Sequence, residues 1–143
     1  MELDFKTAFK AATVPALAMI AASIILFMLA FFGLDIGIIS LPMQFAILCY
    51  AGYNGVKAFK LDLANGALTG AIASLLSMIF TIILNITLSV IGVIPVLDAS
   101  AQIGMPSEAF MAVMFIGYAI GLFFSPVIGA VFGAIGAHFA RKK

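Results

Sequence analysis

Between Asp62 and Asp98 the chain runs for 35 residues without a charged side chain. A further run of 29 lies between Glu108 and His138, and runs of 21 separate Thr13 from Asp35 and Asp35 from Lys57. A helix crosses the hydrocarbon of a bilayer with about 20 apolar residues, since each advances it about 1.5 Å. It also satisfies its own backbone polar groups, which no water is there to do. The four runs predict an all-α integral membrane bundle, one domain over 1–143, with spans at about 13–34, 41–57, 62–94 and 107–139. Composition agrees. With 65% hydrophobic residues, 9% charged and a mean hydropathy of +1.28, the chain has more apolar surface than a water-soluble domain of this size can bury.

If four helices alternate in direction, all seven basic residues fall on one side. Lys6 and Lys10 precede the first span, Lys57 and Lys60 join the second to the third, and Arg141, Lys142 and Lys143 follow the fourth. The other side carries only Asp35, Asp98 and Glu108. By the positive-inside rule both termini and the 57–62 turn are expected in the cytoplasm, in a multi-pass protein of the cell membrane. The first apolar run exceeds the roughly 7–15 residues of a signal-peptide core, and Glu2 and Asp4 spoil a basic leader, so it reads as an uncleaved helix. A net charge of +1 with no basic patch gives no case for nucleic acid. The expected partners are the lipid bilayer and either another membrane protein or copies of the same chain.

Local signals refine the spans. Residues 3–12 mix apolar and basic positions and read as an interfacial lead-in. Ser40 followed by Pro42 reads as an N-cap with proline in the first turn, giving a short second span. Asp62 is placed at the positive N-terminal dipole of the third, and Ser107 reads as the N-cap of the fourth. Ser125-Pro126 is the expected kink in a span longer than the hydrocarbon is thick.

Glycine weakens a helix in water, yet the last span carries Gly117, Gly121, Ser125, Gly129, Gly133 and Gly136 at steps of four and three, on one face. The third span does the same with Gly66, Gly70, Ser74, Ser77, Thr81, Asn85, Ser89 and Gly92. In lipid no water-driven force joins helices, and small residues let backbones approach until dispersion and weak hydrogen bonds hold them. Gly66, Gly70, Gly117, Gly121, Gly129, Gly133 and Gly136 are therefore the expected packing positions. A functional reading of the same face has Ser74 to Ser89 lining a path for water or a small neutral solute. Glycines concentrate toward the basic side and polar residues continue beyond it, so the expected shape is a closed inner half below a more polar vestibule.

Asn85 is the most polar side chain well inside a span. Counting at 1.5 Å per residue from a midpoint near residue 78 puts it about 10 Å toward the acidic side. The same depth falls near Gln44 on the second span and Tyr118 on the fourth. Asn85 is thus expected to meet one of them, as an interhelical clasp or as the lining of a solute site.

No Asp, Glu, Lys, Arg or His falls within a span core, which speaks against proton relays, voltage sensors and ion-coupled carriers. His138 lies at the basic end of the last span, and the single cysteine, Cys49, is far from it in depth. Together they supply neither a metal cluster nor a nucleophile–base pair. No cofactor is expected and catalysis is poorly supplied. The sequon Asn85-Ile-Thr87 lies inside a span, where no glycan can be attached.

The hairpin over 51–76, AGYNGVKAFKLDLANGALTGAIASLL, resembles one in small prokaryotic four-helix membrane proteins of unknown function. In those a helix ends in Gly-Tyr-x-x-Gly, a short basic turn follows, and the next helix opens with Gly-Ala-x-x-Gly. The resemblance implies a four-helix architecture and no activity. The leading functional expectation is a non-catalytic accessory, assembly or structural subunit. The alternative is a small channel or carrier for a neutral solute, in homo-oligomeric form.

Overall fold

A computed structural model describes residues 3–33, 37–91 and 104–142. Among these residues are four helices: α1 (Phe5–Phe31), α2 (Gly37–Phe59), α3 (Leu63–Val90) and α4 (Ser107–Arg141). Three of them, over Phe5–Leu29, Leu63–Val90 and Glu108–Arg141, are long and apolar enough to cross a membrane. α2 is more polar, carrying Ser40, Gln44, Tyr53, Asn54 and Lys57.

The helix ends follow from local chemistry. The Asp4 carboxylate accepts the Thr7 N–H at 3.0 Å, so α1 starts there and the lead-in expected over 3–12 is its first two turns. Asp62, extended at φ −78° and ψ −179°, accepts the Asn65 N–H at 2.8 Å and opens α3. α2 closes through Lys60, left-handed at φ 59°, which lets the Leu61 N–H return to the Gly55 carbonyl at 3.1 Å.

Three boundaries differ from expectation. α2 begins at Gly37, four residues ahead of Leu41, so Ser40 and Pro42 lie inside the helix instead of opening it. Pro42 is close enough to that start that few backbone bonds are lost to it. α4 is capped by Pro106, extended at ψ 142° with no side-chain bond, instead of by Ser107. α4 also runs through Pro126 as one unbroken helix. α3 stops at Val90, short of 94. Asp35, Gly92 and Asp98 lie outside the described residues.

Contacts between helices give their directions. Gly66 meets Ala137, Gly70 meets Gly133 and Gly121 meets Met78, so α3 and α4 are antiparallel. Asp4 at the head of α1 donates its N–H to the Asn65 side chain at the head of α3, 2.8 Å away, so these two run together. The Asn54 amide reaches the Ala11 carbonyl at 3.5 Å, which sets α2 against α1. α3 and α2 form the central pair, and α1 and α4 flank it on opposite sides with almost no contact. Lys6, Lys10, Lys57, Arg141 and Lys142 consequently share one end of the bundle.

That end is packed at backbone distance. A methyl group added at Gly52 would overlap the Gly133 carbonyl, one at Gly70 the Gly129 carbonyl, and one at Gly136 the Cys49 carbonyl. α1 contributes an alanine face, Ala8, Ala11, Ala12 and Ala16, all buried. Asn65, also buried, ties the level together by bonding Asp62 and Asp4. Thr69 beside it is fully enclosed and donates to the Asn65 carbonyl at 2.8 Å.

A polar chamber between the four helices

Above the glycine layer the helices part. α3 presents Ser74, Ser77, Met78 and Thr81 to the bundle axis, and α1 adds Met19 and Ser23, α2 adds Gln44 and α4 adds Ser125. These eight residues, from all four helices, line a cavity of about 190 Å³. The spacing explains the lining, since Ser74, Ser77 and Thr81 continue the face that below is Gly66 and Gly70. Where glycine gives way to serine, the backbones no longer touch and hydroxyls fill the gap.

Most of those hydroxyls are engaged. Ser23 donates to the Met19 carbonyl and Thr81 to the Ser77 carbonyl, each at 2.9 Å, leaving only oxygen lone pairs for the chamber. Ser74 and Ser125 face each other with oxygens 2.6 Å apart, and the Ser125 hydroxyl also donates to the Ser74 carbonyl at 3.1 Å. Two chamber groups are different. Ser77 is 5% exposed, and within the described residues its hydroxyl pairs with no protein atom. Among the described residues no buried side-chain oxygen or nitrogen is both sealed from space and unpaired, so the Ser77 hydroxyl opens into the cavity. The Gln44 carboxamide lines the same space, and among the described residues no protein atom takes up its two donors or its acceptor. A buried hydroxyl or amide without a partner costs roughly 1–3 kcal/mol, so this surface favours any guest able to hydrogen-bond it.

The expected polar residues are divided by the structure. Gln44 lines the chamber, while Tyr118 lines a separate, largely apolar recess between α3 and α4 with Ser89, Ile86 and Met114. Asn85 lines neither and makes no side-chain hydrogen bond to Gln44 or Tyr118 among the described residues; the clasp is corrected. The depth count treated the helices as equally upright and equally close, whereas at this level α3 and α4 stand apart across the recess that Tyr118 lines. Gly117 is corrected for the same reason: a methyl group there would meet nothing within 4 Å. At Gly121 the neighbour is the flexible end of Met78, and Gly66, Gly70, Gly129, Gly133 and Gly136 all lie against another helix. The residues not singled out from the sequence are Met19, Ser23 and Met78. Ser23 carried a usable signal, being the one hydroxyl beyond Thr13 in a span whose outer half is chiefly Ile, Leu and Phe.

Compared with family models, curated proteins and solved structures, the chain matches none.

Proposed function

We propose that the chain is a four-span, non-catalytic protein of the cell membrane, with both termini cytoplasmic, whose mid-bundle chamber binds a small uncharged hydrogen-bonding solute. The basic end then faces the cytoplasm, and α2, the least apolar helix, crosses within the shelter of the other three. The observation that carries this reading is Ser77: almost fully buried, open to a cavity and unpaired among the described residues. Donors and acceptors without any charge suit alcohols, amides or water itself, and the glycine layer beneath closes the chamber toward the cytoplasm.

The test uses Ser77→Cys in a Cys49→Ala background. A small uncharged thiol reagent, methyl methanethiosulfonate, is expected to modify the folded protein, and excess acetamide or ethylene glycol to slow the reaction several-fold. A thiol that is inert in the folded protein, or that reacts at one rate whatever neutral solute is present, overturns the reading.

One observation favours the accessory-subunit reading as a second. The outer half of α4 is nearly bare, with Phe115 61% and Phe123 74% exposed and Gly117 facing open space. A stoichiometric membrane partner recovered from native membranes in mild detergent, and lost with Gly117→Leu, would support it. A chain that purifies alone or only with itself counts against it.

A further inference from the structure

The chamber has a lateral opening. A second cavity of about 260 Å³ shares Met19, Gln44, Ser74, Met78 and Ser125 with it and continues outward between α2 and α4. Leu41, Phe124 and Ile128 form its outer walls, and all three are exposed on the bundle surface. Toward the basic end it is stopped by Phe45 and Phe132, whose rings stack 4.2 Å apart and nearly parallel. The opening therefore leads from hydrogen-bonding groups to a face that meets acyl chains in a bilayer.

Its chemistry selects the occupant. Among the described residues neither cavity is lined by Asp, Glu, Lys, Arg or His, so an ionic head would be desolvated without a counter-charge. Gln44 and Ser77 can bond an uncharged head from two sides, and the apolar mouth can hold the chain that follows it. Met78 borders both cavities with its terminal methyl against Gly121, and a flexible thioether at the junction can move for a passing chain. Resting on the chamber reading above, we propose that the α2–α4 opening admits, from within the membrane, a single-chain amphiphile with an uncharged hydrogen-bonding head. A long-chain alcohol or primary amide is the class, its head between Gln44 and Ser77 and its chain along Leu41, Phe124 and Ile128.

The experiment places the full chain in lipid nanodiscs with hexadecanol carrying a diazirine beside its hydroxyl. On irradiation the label is expected within 41–45 and 74–81. Excess hexadecanol should compete at least tenfold better than palmitate or hexadecyltrimethylammonium. Gln44→Leu should reduce chamber labelling about tenfold. Ile128→Trp, which narrows the mouth without touching Gln44 or Ser77, should do the same. Protection of Ser77→Cys by acetamide should persist in the Ile128→Trp background, with an unchanged melting profile showing that the variant is folded. Absence of chamber label while acetamide still protects the thiol overturns membrane entry and leaves the chamber reading standing. Absence of both overturns both. Equal competition by the ammonium compound, or label confined to the outer faces of α1 and α4, also overturns the proposal.

Discussion

The side-chain oxygens of Ser74 and Ser125 lie 2.6 Å apart, bridging α3 and α4 where glycine packing ends and the chamber begins. Ser125 has one hydroxyl proton and directs it at the Ser74 carbonyl. The Ser74 hydroxyl is then the donor between the two oxygens, and each bond polarises the other. This pair marks the boundary between two halves of the bundle. Below it backbones touch, and above it side chains of four helices are held apart.

The bridge should behave as a coupled unit. Ser74→Ala and Ser125→Ala are each expected to lower stability by about 0.6–1.7 kcal/mol, between the average and the maximum of polar contacts measured within membranes. The double variant should lose less than the sum of the two. A double-mutant cycle on unfolding in bicelles measures the difference, and strict additivity would show that the hydroxyls do not interact.

Three glycines on α4 should respond differently to the same added methyl group. Gly133→Ala and Gly136→Ala push a carbon into a facing backbone and are expected to cost about 1–3 kcal/mol or more. Gly117→Ala meets open space and should be neutral, or stabilising by up to about 1 kcal/mol through helix propensity. Thermal melting in detergent reads all three, and equal losses would contradict the division of the bundle into a touching and a parted half.

Acid should release the basic end first. The Asn65 backbone N–H bonded to Asp62, aided by the Asn65 side chain and by Arg141, holds the Asp62 carboxyl below its ordinary value of 3.8. A group with a lowered folded-state value stabilises the fold above its unfolded value, and that contribution is lost as pH falls through the folded one. The melting temperature should thus be flat near neutrality and decline as pH drops below the ordinary aspartate range. Asp62→Asn, which keeps a capping oxygen without the charge, should shallow the decline. An unchanged acid limb would show that Asp62 does not contribute to it.

Topology is open to a direct check. A periplasmic-type reporter, active only outside the cytoplasm, should stay silent when fused after residue 143 and become active when inserted near residue 100. The reverse pattern would invert the assignment of inside and outside.

Much of this could be read in the residues themselves. Charge-free runs located the three apolar helices, and Asp62 announced the start of α3. The stripes on α3 and α4 marked the face on which Gly70 and Gly133 meet, since glycine repeated each turn has few other uses in lipid. The same stripes could not show where contact stops, because periodicity describes one helix and parting belongs to two. Hence Gly117 and Asn85 lie on the right faces at levels where α4 no longer closes on α3. The alanine face of α1 was silent for another reason: alanine sits equally well against lipid or protein, so Ala8, Ala12 and Ala16 carry no signal alone. Ser40-Pro42 misled because serine before proline reads as a cap wherever it occurs, and the apolar residues ahead of it offered no competing start.

The most direct measurement is a structure of the full chain in a lipid nanodisc, at a resolution where ordered waters are visible. The expected result is non-protein density inside the chamber, within about 2.7–3.2 Å of both the Ser77 hydroxyl and the Gln44 carboxamide. The contradicting result is a chamber closed by its own side chains, with Ser77 bonded back to the Ala73 carbonyl one turn below and Gln44 turned out of the bundle.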